Sequence, residues 1–157
     1  MGDGDVAVAL LPSSPMPGHR GCFYERGIRF RCLRTGGCCR SVEPYGYVYV
    51  TLDDRRRLAR HLGLTTAAFT RRYCARTDGE LHLKHPERDC CFLEGTRCRV
   101  HAARPLQCRA WPFWPENMTS ARVWRREVLA RCPGVGRGRL HSAEEIAGIL
   151  ELQRTSG

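Results

Sequence analysis

The sequence predicts a small single-domain α+β fold whose connecting loops are too rich in cysteine to be ordinary connections. Three observations lead there. The chain has 157 residues, the length of one domain. Short helical and strand-like hydrophobic patterns follow one another along it, with no repeat at a fixed period. Ten cysteines crowd mainly into two groups between those patterns. Hydrophobic residues at 42% and charged residues at 27% allow a packed core and argue against wholesale disorder.

The elements are justified in chain order. Residues 1–21, with the run Pro12-Ser13-Ser14-Pro15-Met16-Pro17-Gly18, read as a flexible N-terminal arm, leaving residues 22–157 as the domain. The longest unbroken apolar stretch, Val6–Leu11, is far short of the roughly 20 residues a membrane-spanning helix needs. No membrane partner is expected. Tyr45-Gly46-Tyr47-Val48-Tyr49-Val50 is aromatic and β-branched, the composition of a strand. Thr51 is placed to cap a helix over 52–62, with Asp53 and Asp54 at its positive end and Gly63 to stop it. Thr65 or Thr66 caps a second helix, in which Phe69 and Tyr73 share one face. Leu81-His82-Leu83-Lys84 alternates as a strand does. Residues 89–116 mix cysteines, prolines and large aromatics without either period and read as loops. Residues 122–129 suit a strand or a short helix. Ser142-Ala143-Glu144-Glu145 is a capping box, and Ile146, Ile149 and Leu150 form an apolar stripe behind it.

The N-terminus bears on what the thiols are for. Met1-Gly2-Asp3-Gly4-Asp5 is acidic and the apolar run after it stops at Pro12, which is not the pattern of a secretory signal. A cytoplasmic location is expected. In a reducing compartment, cysteine-dense sequences are metal sites or redox centres more often than disulfide frameworks.

The cysteines lie at 22, 32, 38, 39, 74, 90, 91, 98, 108 and 132. Gly36 and Gly37 precede the Cys38–Cys39 pair and Gly95 lies between Cys90 and Cys98, so the chain can turn back on itself to aim two sulfurs at one ion. On an extended chain, neighbouring side chains point to opposite sides. Cys38 and Cys39 are therefore expected to serve two separate centres, or one of them none. A lone cysteine such as Cys74 reads as a small buried hydrophobe.

The pattern Phe30-x-Cys32, Gly37-Cys38-Cys39-Arg40, Cys90-x-Phe92-Leu93 with Cys98, Arg104-Pro105-x-x-Cys108-Arg109-x-x-Pro112-Phe113 and Cys132-Pro133-Gly134 resembles the YkgJ-type cysteine-cluster family, zinc- or iron-chelating domains with a CxxCxxCC signature. The similarity runs over roughly residues 27–145. It implies Cys32, Cys38, Cys39, Cys90, Cys98, Cys108 and Cys132 as metal ligands. The family pattern has an eighth cysteine where this chain has Thr35. Eight cysteines would divide into two four-ligand sites; here one site recruits Cys22, Cys74, Cys91 or the imidazole of His101, keeps three cysteines with an exchangeable ligand, or is vacant.

Soft ligands suit both zinc and a [4Fe–4S] cluster; closely spaced thiols and few histidines tilt the reading towards iron–sulfur. The formal net charge is +10, and 25 of the 26 basic residues are arginine, Lys84 being the exception. Arg31, Arg40, Arg97, Arg99, Arg109 and Arg131 stand next to candidate ligands, where guanidinium groups would favour thiolate. The remaining charge suits weak binding to nucleic acid or an acidic protein. Trp111-Pro112-Phe113-Trp114-Pro115 is expected to pack over the centre, although it would also serve to stack on bases. No nucleophile elbow, phosphate loop, dinucleotide fingerprint or zinc-protease motif is present, and the scattered histidines read as surface residues. The sequence thus points to a metal-binding protein of α+β fold with cysteine-rich loops held by bound metal. The alternatives are a zinc-stapled module for nucleic acid or a protein partner, and an iron–sulfur oxidoreductase or protein-modifying enzyme.

Overall fold

The computed structural model of the protein describes residues 21–40, 47–85 and 89–156; the expected arm at 1–21 lies outside them except for Gly21. Helix α1 spans Leu52–His61. Its first turn closes reciprocally: Asp54 N–H donates to Thr51 Oγ1 at 3.1 Å, and Thr51 N–H donates to the Asp54 carboxylate at 3.2 Å. Helix α2, Thr66–Tyr73, starts at Thr65, whose hydroxyl accepts from Ala68 N–H at 3.1 Å. It runs directly into the hairpin of β2 (Cys74–Thr77) and β3 (Glu80–Leu83), paired antiparallel with Cys74 opposite Leu83.

The strand expected at 45–50 is described from Tyr47 onward, and there it is not a ladder strand. Tyr49 forms an isolated bridge with His82, flanked by Leu83 N–H to Val48 O at 2.8 Å and Val50 N–H to Leu81 O at 3.1 Å. Its other edge bonds a side chain instead of a strand. The Gln107 amide accepts from Tyr49 N–H at 3.0 Å and donates to Tyr47 O at 3.1 Å, which satisfies the backbone without extending the sheet.

Residues 89–116 hold more regular structure than their composition suggests. A minimal hairpin, β4 (Leu93–Glu94) with β5 (Arg97–Cys98), leads through a tight turn at His101–Ala103 to helix α3, Leu106–Ala110. The ambiguous stretch at 122–129 is helical: α4 covers Ala121–Trp124 and widens into a π turn over Arg125–Leu129. Helix α5, Ala143–Thr155, begins at the expected Ser142–Glu145 capping box. Strands β1 (Ile28–Phe30) and β6 (Val135–His141) pair antiparallel. Neither carried a sequence signal, because β6 reads Val-Gly-Arg-Gly-Arg-Leu-His and is exposed or half-exposed at every position.

Two hydrophobic cores result. The first gathers Val48, Val50, Leu58, Phe69, Leu83, Phe92 and Val100 beneath α1, α2 and the β2–β3 hairpin, with Cys39, Cys91, Cys98 and Cys108 packed against it. The second joins Phe113, Met118, Trp124, Val128 and Ile146, with Cys132 at its edge. Among the described residues, no helix is long and apolar enough to cross a membrane.

Candidate metal centre

Four local devices bring the thiols together. Cys38 and Cys39 occupy a single 3-10 turn, Gly37–Cys39, entered through Gly36 at φ +74°. A Cβ at Gly36 would lie 3.0 Å from the Thr96 carbonyl oxygen, so a bare backbone lets the turn press against the β4–β5 hairpin. Cys90 N–H then donates to Cys39 O at 2.9 Å, clipping this turn to the second cysteine group. Third, Arg31 N–H donates to Gly134 O at 3.1 Å. A Cβ on Gly134 would collide with the Arg31 carbonyl oxygen, and its absence lets the segment after Cys132 lie beside Cys32.

The fourth device positions Cys108. Asp54, 3% exposed, accepts from Arg57 Nη2 at 2.5 Å and from Leu106 N–H, at the start of α3, at 3.0 Å. Arg57 Nη2 also donates to Arg104 O at 3.0 Å. The buried face of α1 therefore grips the segment between His101 and Cys108.

The outcome is a cavity of about 40 Å³ whose wall includes Cys32, Cys38, Cys39, Cys90, Cys98 and Cys108. These are six of the seven cysteines that the family resemblance implies as ligands. Val48, Leu83, Phe92, Val100 and Pro105 make its apolar side. Cys132 is not on this wall. It packs on the second core and borders a neighbouring cavity of about 230 Å³, which shares Cys32 and Cys38 with the first. Cys38 is itself exposed, so the thiol set meets solvent there.

The local chain differs from the extended form assumed for Cys38 and Cys39: a 3-10 turn rotates successive side chains by about 120°. Both line the same cavity, and Cys38 borders the neighbouring one as well. The aromatic segment at 111–115 is also divided between two tasks. Trp111 and Trp114 line the larger cavity, while Pro112 and Phe113 are buried, Phe113 in the second core.

The thiols hydrogen-bond to one another, and that sets their charge. Cys39 donates to both Cys38 and Cys98; with backbone donors and the charge of Arg104 helping, Cys38 falls to about 7 and Cys98 to about 6. Cys39 is correspondingly pushed up, as the proton donor of the group. Cys90 is pushed up by donating to Cys91, whose own value falls. Cys108 is raised chiefly by burial. Thiols drawn towards the anion, Cys38 and Cys98, thus share the cavity with thiols held protonated, Cys39, Cys90 and Cys108, and a soft cation would displace the protons that remain.

The guanidinium acting on this group is Arg104, a residue the adjacency reading passed over. Of the six arginines next to candidate ligands, Arg99 lowers Cys91, but Arg131 approaches Glu127 at 3.6 Å and Arg40 reaches the Gly95 carbonyl. Adjacent residues on irregular chain seldom share a direction, whereas Arg104 is turned inward by donating to His101 O at 2.9 Å. The histidines differ from expectation as well; His19 lies outside the described residues. His82 is 3% exposed, stacked on Tyr47 with ring centroids 4.0 Å apart and bonded to Leu83 O and the Thr77 hydroxyl. His101 lines the thiol cavity, and its Nε2 is buried without a hydrogen-bond partner.

Among the described residues, no three His, Cys, Asp or Glu side chains stand in the arrangement of a formed metal site. The donor chemistry nonetheless fits a thiophilic ion: clustered sulfurs, Cys38 and Cys98 among them drawn towards the anion, beside an unsatisfied imidazole nitrogen. All ten cysteines belong to the described residues, and no disulfide joins any of them.

Comparison with known proteins supplies a family for this arrangement. A family model named CxxCxxCC, "Putative zinc- or iron-chelating domain", matches residues 31–131, the span that contains Cys32 and the whole thiol cavity. No solved structure matches the chain. With the match covering well over half of its length, the chain belongs to the CxxCxxCC family of zinc- or iron-chelating domains.

Proposed function

We propose that the domain binds zinc through the thiols lining its cavity, as a structural centre that fastens the cysteine-rich loops to the first core. The observation that carries this reading is the convergence of Cys32, Cys38, Cys39, Cys90, Cys98 and Cys108 on one cavity of about 40 Å³. One water-sized body needs roughly 10–15 Å³, so the space has room for an ion. A nitrogen donor on the wall belongs with the mixed thiolate–imidazole sites of zinc more than with an all-thiolate cluster. That donor shifts the balance away from the iron–sulfur reading that spacing alone favoured. Zinc bound here would neutralise thiolates now held only by hydrogen bonds and Arg104, and its binding free energy would count towards folding.

Purification without oxygen, elemental analysis and an absorption spectrum test the proposal. Colourless protein with stoichiometric zinc is expected. Brown protein containing iron and acid-labile sulfide would overturn the choice of metal. Cys38→Ser and Cys108→Ser should each lower metal content and thermal stability, and full metal retention by both would overturn the ligand set.

A further inference from the structure

We infer that His101 Nε2 is a zinc ligand, a nitrogen donor beside the thiols of the cavity that it lines. The inference rests on the zinc reading above and concerns which residues complete the centre. Where the family signature reads CxxCxxCC, this chain reads Cys32-Leu33-Arg34-Thr35-Gly36-Gly37-Cys38-Cys39. Thr35 borders the larger cavity and not the thiol cavity. The donor lost at position 35 therefore belongs to the border of the larger cavity, and four residues are chemically able to add a donor to the thiol wall.

The structure separates them. Cys22 interacts with Tyr24, beside the second core. Cys74 is buried in the first core and absent from the cavity wall. Cys91 is also absent from the wall and is engaged by Cys90. His101 alone of the four lines the cavity.

Two further observations favour it. Its Nε2 is buried with no hydrogen-bond partner, an uncommon state for a polar atom unless something absent from the protein chain completes it. It also follows Cys98 by three residues, with Arg99 and Val100 in a turn between them, the short spacing that lets two ligands meet one ion. The Arg104 side chain, bonded to the His101 carbonyl at 2.9 Å, holds the next turn, His101–Ala103, in shape.

X-ray absorption at the zinc edge, on the full chain loaded with zinc, tests the assignment. A mixed shell is expected, with sulfur at about 2.3 Å and nitrogen at about 2.0–2.1 Å. His101→Ala should remove the nitrogen component. It should also weaken zinc at least about tenfold in competition with a chromophoric chelator, since even residues behind a ligand commonly cost 10–100-fold. His101→Cys should keep stoichiometric zinc in an all-sulfur shell, which guards against a His101→Ala protein that fails to fold. An all-sulfur shell in the unaltered chain, or a His101→Ala protein with unchanged shell and affinity, would overturn the assignment while leaving zinc binding intact. Failure of the unaltered chain to take up zinc would instead overturn the reading beneath it, and this one with it.

Discussion

Around Phe113 and Ile146 the chain is held by familiar means: Phe113 and Trp124 stack with centroids 6.1 Å apart, α5 is capped at Ser142, and β1 pairs with β6. Around Leu58 and Phe92 the apolar material is similar in kind, but the segments that close over it are short. The β4–β5 hairpin has two residues per strand and the turn bearing Cys38 and Cys39 has three. Such pieces bury little area and contribute few ladder bonds, so they do not repay their own ordering entropy. Thiols stand where larger hydrophobic contacts would otherwise be required. On the zinc reading the two halves differ in what their stability depends on: apolar contact in one, an added cation in the other.

The sharpest way to break that comparison is to withdraw the metal. A structural zinc site contributes about 10–16 kcal/mol of apparent binding free energy, so chelation should abolish hydrogen-exchange protection in β4, β5 and α3. Protection in α5 should survive. Equal loss in both halves would show that the cores are one cooperative unit, and no loss would remove the metal from the stability argument. Ile146→Ala is the converse probe. Ile146 is fully buried, and its truncation should cost about 2–5 kcal/mol by the same amount in zinc-loaded and stripped protein.

Asp54 tests the link between helix and site. Its carboxylate caps α1, pairs with Arg57 and accepts from Leu106 N–H. Breaking a buried ion pair costs about 3–5 kcal/mol; the lower end is expected here because the Arg57 side chain keeps 34% of its exposure. Asp54→Ala should also weaken zinc, since the start of α3 and hence Cys108 lose their anchor. Chemical denaturation and chelator competition on the same preparation measure both effects. A stability loss with zinc affinity unchanged would show that α3 is held by its own packing.

How much of this was legible in the sequence follows the same division. The helices at 52–61 and 143–155 announced themselves through caps and periodicity, and the β2–β3 hairpin half did so through Leu81–Leu83, because local signals decide such elements. Strand β6 was silent, since a two-stranded ribbon exposed along Gly136–Leu140 needs no apolar alternation. The family resemblance marked most of the cysteines of the thiol cavity, whereas the extended chain assumed for Cys38 and Cys39 is a 3-10 turn. Arg104 and the orphaned nitrogen of His101 depend on the turn at 101–103, a tertiary feature. The one available hint was that His101 follows Cys98 at knuckle spacing.

Cys74 offers the smallest effect and a useful boundary to the site. It is 7% exposed, packed in the first core and placed opposite Leu83 at the start of β2. Burial raises its thiol, with Arg55 and Lys84 pulling weakly the other way, so it is the neutral, hydrophobic kind of cysteine. Cys74→Ala removes one sulfur from a packed site and should cost about 1 kcal/mol. Cys74→Ser keeps the size but buries a hydroxyl, which costs about 1–3 kcal/mol if it finds no partner. Neither should alter zinc content, because Cys74 does not reach the cavity. If elemental analysis of either variant showed zinc falling along with the denaturation midpoint, the boundary between core cysteine and ligand cysteine would have to be redrawn around α2.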